Sequence, residues 1–104
     1  MRQILIDKFF IPKAAYAEFL QRMNDNRGFI RKLPGFVEDS AFERMDENGN
    51  LIVVTTAVWE NQDVLDAAKE MVQTEYKRIG FNPPEMFARL NITMDRGVYK
   101  EIAI

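Results

Sequence analysis

The chain has 104 residues, of which 47% are hydrophobic and 29% are charged, and its 14 basic and 16 acidic side chains give a net charge of −2 at pH 7. This balance is typical of a folded globular protein, and the length favours one domain over residues 1–104. The weak negative charge excludes a strongly basic nucleic-acid binder, so we expect no nucleic-acid partner.

The chain contains neither cysteine nor histidine. These two absences exclude disulfides, thiolate nucleophiles, iron–sulfur clusters, histidine general bases and histidine-ligated haem. Any chemistry therefore rests on carboxylates, Lys, Arg, Tyr, Trp, Asn and the backbone. We predict no metal site and no cofactor.

The chain has no run of 18 apolar residues, and the apolar residues 4–6 near the N-terminus are followed at once by Asp7 and Lys8. A membrane span needs a longer apolar run, and a signal peptide needs a longer apolar centre. We therefore expect a cytoplasmic protein with no membrane partner.

The first half of the chain predicts strand, helix, strand. Residues 3–11 are rich in Ile and Phe and indicate a strand. Pro12 is suited to the first position of a helix, and apolar spacing extends that helix to about Leu33, before Pro34-Gly35 ends it. Residues 36–45 indicate a second strand.

The second half predicts strand, helix, a helical turn and a last strand. Asn48-Gly49 is a strong hairpin signal, and residues 50–59 after it are almost all β-branched or aromatic. A second helix begins after a cap at Asn61 or Asp63 and ends at Gly80. We expect a short helical turn from Asn82 to Leu90 and a strand over residues 91–104, strongest at 98–104. The predicted buried stripe of the second helix is Leu65, Ala68, Val72, Tyr76 and Ile79.

This order, β-α-β-β-α-β with an extra turn, predicts an α+β fold of ferredoxin-like type, in which two helices cover one face of a four-stranded antiparallel sheet. The third strand is apolar on both faces, since Leu51, Val53 and Ala57 alternate with Ile52, Val54 and Val58. A second copy of the chain is the economical cover for the other face, which predicts a homodimer joined through its sheets as an α/β barrel. Alternatively, residues 84–90 fold over that face of a monomer.

The turn Leu33-Pro34-Gly35-Phe36 and the strand end Thr56-Ala57-Val58-Trp59-Glu60, followed at once by an amphipathic helix, resemble the antibiotic biosynthesis monooxygenase family of the dimeric α/β-barrel superfamily. The resemblance covers nearly the full length. It implies a ferredoxin-like dimer that oxygenates polycyclic phenols, quinols or anthrones without flavin or metal.

A related branch of that superfamily degrades haem and uses an Asn in the first strand, a Trp at the end of the third and a His on the second helix. Trp59 matches the Trp, whereas Asp7 lies where the Asn is expected and Tyr76 lies near the His position. Haem degradation by a His-ligated route is therefore not expected.

Asp7 and Trp59 are the predicted catalytic residues, and Tyr76, Phe9, Phe42 and Met71 are predicted to bind the substrate, with Met86 also near the pocket. A desolvated Asp7 would act as a general base, and the Trp59 ring would stack on a flat substrate. The other interpretations stay open: Asp7 as an exposed carboxylate, and the rest as ordinary core residues. Arg44, Lys77, Arg78, Arg89 and Arg96 are expected on the solvated surface.

The favoured function is a cofactor-independent monooxygenase that acts with dioxygen on a small aromatic molecule. One alternative is a non-catalytic dimeric barrel that binds a small apolar ligand. The other is a structural or regulatory dimer with a closed core.

Overall fold

A four-stranded antiparallel sheet with three helices makes up the chain in the computed structural model, which describes residues 1–103. The strands are β1 (Gln3–Ile11), β2 (Phe36–Met45), β3 (Leu51–Trp59) and β4 (Thr93–Tyr99), and the helices are α1 (Tyr16–Ile30), α2 (Gln62–Ile79) and α3 (Pro83–Leu90). A 3-10 turn, Lys13–Ala15, leads into α1.

The strand order is β2-β3-β1-β4, with β1 and β3 at the centre. All neighbouring strands are antiparallel, and Asp7 of β1 lies opposite Thr55 on one side and Arg96 on the other. This order confirms the predicted ferredoxin-like α+β fold. None of the helices in residues 1–103 is both long and apolar enough to cross a membrane.

Helix ends follow the predicted local signals. Asn61, rather than Asp63, caps α2 by accepting a hydrogen bond from the Val64 N–H at 3.0 Å, and Gly80 ends that helix in the left-handed region at φ 70°. Asn82 caps α3 in the same way. These signals were readable because each depends on residues a few positions apart.

Two predicted boundaries are wrong. The first helix ends at Ile30 and not near Leu33, because residues 31–35 already form the turn into β2. The last strand covers Thr93–Tyr99, whereas the sequence placed its strongest part at 98–104. Tyr99 lies opposite Ile4, one residue from the start of its partner β1, so the pairing stops there. Residues 100–103 have no regular structure, and Ile104 lies outside the described residues.

The helix-covered face of the sheet consists of Leu5, Asp7, Phe9, Ile11, Val53, Thr55, Ala57 and Trp59. It carries two separate apolar clusters. One contains Phe9, Phe19 and Val53, and the other contains Ala57, Trp59 and Leu65. The α3 residue Met86 joins the first cluster, so α3 packs on this same face. The alternative in which residues 84–90 cover the other face of a monomer is therefore wrong.

The open face of the sheet consists of Ile4, Ile6, Lys8, Phe10, Ile52, Val54, Thr56 and Val58, with neighbours from the two edge strands. No helix within residues 1–103 covers it. Phe42 of β2 is 62% exposed here and Phe10 is 42% exposed. The alternation predicted for β3 is thus confirmed, and the open face leaves large apolar side chains in contact with solvent.

Gly35 allows the chain to pass closely beside α2. Its φ is +82°, and a Cβ at this position would lie 2.5 Å from the Val64 side chain. Only glycine meets both requirements without strain.

We predict that Gly35→Ala lowers the free energy of unfolding by roughly 2–4 kcal/mol, from the left-handed backbone together with overpacking against Val64. Gly49→Ala, at φ +80° in open space, should cost only about 1–2 kcal/mol. Gly28→Ala, inside α1 and also in open space, should raise stability by about 0.5–1 kcal/mol. Urea unfolding measures all three, and equal losses for Gly35 and Gly49 would contradict the close approach.

Candidate functional site

A cavity of about 590 Å³ separates the two apolar clusters, between the helix-covered face and the three helices. Its size is within the range of small-molecule sites. The sheet contributes Leu5, Asp7, Phe9, Asp39, Thr55, Thr56, Ala57, Trp59, Met94 and Arg96, and the helices and the α2–α3 loop contribute Phe19, Arg22, Met23, Asn26, Arg27, Ile30, Leu65, Ala68, Lys69, Val72, Gln73, Tyr76, Phe81, Pro83, Pro84, Met86 and Phe87.

Asp7 and Arg96 form a bidentate ion pair at the sheet side of the cavity. The Arg96 Nε and Nη2 atoms donate to the two Asp7 carboxylate oxygens at 2.7 and 2.8 Å. The Asp7 side chain is 9% exposed, and that of Arg96 is 50% exposed. Hydrogen bonding to Asp7 raises the pKa of Arg96 above its usual range, so Arg96 is a permanent cation here.

Tyr76 lies at the helix side of the cavity and links α2 to α1. Its hydroxyl donates to the Asn26 Oδ1 at 3.2 Å, and its ring meets Phe81 edge-on with the ring centroids 5.2 Å apart. Burial raises the pKa of the Tyr76 hydroxyl above its ordinary value of 10.0. The phenol is therefore protonated at neutral pH and acts as a hydrogen-bond donor.

Trp59 forms one end of the cavity. Its side chain is buried, its ring packs edge-on to Phe36, and its indole Nε1 has no hydrogen-bond partner among the described residues. A buried N–H without a partner costs roughly 1–3 kcal/mol. A ligand atom or a water that accepts this hydrogen bond would remove that cost.

A second carboxylate with a buried side chain, Asp39, binds Arg27 of α1 and Arg31, which directly follows that helix. Arg27 Nε donates to one carboxylate oxygen at 2.5 Å and Arg31 Nε donates to the other at 2.9 Å. Burial raises the pKa of Asp39, but the hydrogen bonds from Arg27 and Arg31 together with the charges of these arginines outweigh that effect. The pKa of Asp39 therefore lies below its ordinary value of 3.8. This cluster joins α1 to β2 at the cavity wall.

Four of the six predicted site residues, Asp7, Trp59, Tyr76 and Phe9, line this one cavity, as does Met86. Their roles stay predictions. The closed core, one of the three interpretations drawn from the sequence, is contradicted by the cavity itself.

The placement of two predicted pocket residues is wrong. Phe42 lies opposite Val54 on the open face, because even-numbered positions of β2 point away from the helices there. Met71 is 40% exposed and lies on the outer side of α2, in a shallow groove with Phe29. The stripe of α2 that meets the cavity contains Val72 and Tyr76 instead. Neither Phe42 nor Met71 contacts the space in which Asp7 lies.

Sequence reasoning missed most of the polar cavity wall. Arg96 was expected at the solvated surface, but its register opposite Asp7 places it in an ion pair. Arg22, Asn26 and Asp39 carried no motif. Arg27 was the one readable signal, because a charged residue interrupts the otherwise apolar stripe of the first helix and there indicates a buried acidic partner.

No cluster of three or more acidic side chains suited to a metal ion occurs in residues 1–103. Two of the ionisable groups that line the cavity, the Asp7 carboxylate and the Arg96 guanidinium, are bound to each other. The arrangement can hold a flat apolar ring, accept one proton and donate hydrogen bonds to oxygen atoms.

No family model matches the chain, and no curated protein sequence matches it. Solved structures do. A proposed monooxygenase from Shewanella loihica PV-4 is 16% identical with a TM-score of 0.72, covering 99% of this chain and 96% of that one. SnoaB, a cofactor-independent oxygenase from Streptomyces nogalater, is 20% identical with a TM-score of 0.68, covering 99% and 95%. A dimeric ferredoxin-like protein from an uncultured marine organism is 9% identical with a TM-score of 0.67, covering 98% of each chain.

These similarities extend over nearly the whole of each chain, and all three are below 25% identity. They therefore establish the fold. The resemblance to the antibiotic biosynthesis monooxygenase family is confirmed at that level, because proteins named as a monooxygenase and an oxygenase share this ferredoxin-like architecture.

We predict that Asp39→Asn lowers the free energy of unfolding at pH 7 by about 2 kcal/mol, because two charged hydrogen bonds are lost. A pKa depressed in the folded state stabilises the protein above the unfolded value of about 3.8, and this stabilisation disappears as the pH falls through the lower folded value. The difference between the two proteins should therefore shrink between pH 4 and pH 2.

Asp25→Asn, an exposed change on α1, is the control and should show a small, pH-independent difference. Urea unfolding across this pH range makes the measurement. A difference for Asp39→Asn that stays constant down to pH 2 would contradict the assignment.

Proposed function

We propose that this protein is a cofactor-independent monooxygenase that oxidises a small aromatic compound, a quinol, phenol or anthrone, with dioxygen. The observation that carries the proposal is the cavity in which an acidic residue, an unpaired indole N–H and a protonated phenol surround an apolar space. The fold shared with SnoaB, described as a cofactor-independent oxygenase, supports the same reaction class.

In the proposed reaction Asp7 removes a proton from an acidic C–H of the bound aromatic. A carboxylate has about four acceptor positions, and Arg96 occupies two of those on Asp7, so about two remain, and one of them can take this proton. The carbanion then transfers one electron to dioxygen, and the two radicals combine to form a C–O bond. Because the substrate itself is the reductant, no bound redox group is needed.

The peroxide takes the proton back from Asp7. Removal of the second C–H proton and departure of hydroxide, which is protonated to water, leave a carbonyl group. The net change is CH₂ plus O₂ to C=O plus H₂O, so the substrate loses four electrons and dioxygen accepts them. One oxygen atom of dioxygen is found in the new carbonyl group and the other in water.

Trp59 and Tyr76 would position the substrate rather than transfer its protons. The Trp59 N–H is free to donate to a ring oxygen, and burial of that N–H favours an acceptor from the ligand. The Tyr76 hydroxyl, already bound to Asn26, supplies a second oriented dipole. Holding the ring between them would keep the reacting carbon near Asp7.

A second candidate function is binding of a small apolar ligand without chemistry. The bidentate hydrogen bonds from Arg96 favour it, because both oxygens of the proposed base already accept a hydrogen bond within the protein. Release of the ligand unchanged in the presence of oxygen would identify this case.

We predict that the protein converts anthrone to anthraquinone in air and not under argon, with one atom of labelled dioxygen in the new carbonyl by mass spectrometry. Asp7→Asn should lower kcat by about 10²–10⁴-fold, since the general base is lost. Trp59→Phe should mainly raise KM. Asp25→Asn, which changes an exposed acid on α1, is the matched control and should leave the rate unchanged.

Thermal unfolding and circular dichroism show whether each variant is folded. If the wild type converts anthrone and the Asp7→Asn and Trp59→Phe variants do so equally well, the proposed roles of Asp7 and Trp59 are wrong. Tight binding of anthrone with no oxygen consumption would support the non-catalytic alternative.

We also propose that the protein is a homodimer joined through the open faces of its two sheets. Phe10, Phe42 and Tyr99, at 42%, 62% and 49% exposure, are large side chains left uncovered there. The ferredoxin-like protein described as dimeric supports this assembly. The cytoplasmic location stays a prediction from the sequence.

We predict a particle of twice 12.2 kDa by sedimentation at micromolar concentration. Phe42→Glu should shift it toward the monomer, because the change places charges in an apolar contact. Met71→Glu introduces the same charge on the outer side of α2 and should leave the assembly unchanged. A stable 12 kDa wild-type particle would contradict the homodimer.

A further inference from the structure

The cavity is more positive than the protein that contains it. Four cationic side chains and two carboxylates are among its lining residues, which leaves two positive charges in excess, whereas the whole chain carries −2. The cations are Arg22, Arg27, Lys69 and Arg96, and the carboxylates are Asp7 and Asp39.

Two of these cations are already neutralised. Arg96 binds Asp7, and Arg27 shares Asp39 with Arg31. Neither Arg22 nor Lys69 takes part in an ion pair within 4.0 Å among residues 1–103.

Two acids of α1, Glu18 and Asp25, lie about one helical turn from Arg22. The exposed Glu18 carboxylate is bound by Arg89 of α3, and Asp25 takes part in no ion pair within 4.0 Å among residues 1–103. The positive charge of Arg22 is thus left without a dedicated partner at the cavity wall.

Arg22 is nevertheless held in place. Its guanidinium carbon lies 4.1 Å from the centroid of the Phe81 ring, and Phe81 in turn meets Tyr76 edge-on. An arginine stacked on an aromatic ring keeps its N–H donors available in the plane of the guanidinium. Burial raises the pKa of Tyr76, while the charges of Arg96 and Arg22 act to lower it and that of Asp7 acts to raise it.

We propose that the ligand of this cavity is an aromatic carboxylate, whose anionic group binds Arg22 beside the Tyr76 hydroxyl while its ring occupies the apolar space toward Trp59. This inference rests on the proposed function and narrows its substrate to aromatic acids. The carboxylate fits because a guanidinium offers two parallel N–H donors to its two oxygens.

The test measures binding by isothermal titration calorimetry with three naphthalene probes of similar shape. 1-Naphthoate is anionic at pH 7, 1-naphthamide is neutral and 1-naphthylmethylamine is cationic. Wild-type protein should bind 1-naphthoate about 10-fold or more tighter than 1-naphthamide, the gain expected of a hydrogen bond to a charged group. The amine should bind more weakly than the amide, and the preference for the acid should decrease with salt.

Arg22→Gln should remove most of the preference for 1-naphthoate and leave the affinity for 1-naphthamide within about 2-fold. Arg22→Lys keeps the charge and should retain part of the preference. Lys77→Gln, the same loss of charge at an exposed position of α2, is the matched control and should change neither affinity. Lys69→Gln tests the other unpaired cation of the cavity.

The outcomes separate this inference from the proposed function. If the wild type binds 1-naphthoate and 1-naphthamide equally tightly, the ligand is not specifically an aromatic carboxylate. The proposal that the cavity binds a small aromatic compound would still stand. No binding of any probe would overturn both. A preference that Lys69→Gln removes and Arg22→Gln preserves would overturn the assignment to Arg22.

Discussion

A carboxylate at the centre of β1 prevents the helix-covered face of the sheet from becoming one continuous apolar core. Asp7 lies among Leu5, Phe9 and Ala57, where an unpaired charge would be costly, and within residues 1–103 its two oxygens are hydrogen-bonded by Arg96 alone. Apolar side chains pack on either side of this ion pair as two clusters. The cavity lies between them, and Asp7, Trp59 and Tyr76, the residues in the proposed reaction, line its walls.

The fold by itself does not define an activity, whereas the residues of the cavity can support one. Ferredoxin-like architecture is shared with proteins no more than 20% identical to this chain among those compared, so it establishes an arrangement of elements and not an activity. The proposed oxygenase activity depends on a cavity that can hold a flat molecule beside a carboxylate. Both oxygens of that carboxylate accept hydrogen bonds from Arg96, which fixes its orientation.

The two faces of the sheet differ in what covers them and in the side chains that they present. The helix-covered face encloses the cavity with its charged walls, and the open face presents apolar side chains that only another surface can cover. Because alternate residues of a strand point to opposite faces, Phe42→Glu changes the open face and Asp7→Asn changes the cavity. The two faces can therefore be altered independently.

The sequence alone determined the order of the elements, most of their ends and the double apolar character of β3. Each of these depends on neighbouring residues: Asn48-Gly49 turns the chain, Asn61 caps a helix, and alternation assigns the faces of a strand. It also identified Asp7, Trp59 and Tyr76 as residues of interest, through family resemblance and their unusual chemistry within apolar patterns.

Only the tertiary structure decided which side chains meet. Arg96 is 89 positions from Asp7, and their ion pair follows from the register of two strands that have no local sequence signal in common. The same register places Phe42 on the open face, and the rotation of α2 places Met71 outside the cavity. Residue types and local spacing define what each segment can form, whereas the packing of distant segments defines where charges and cavities occur.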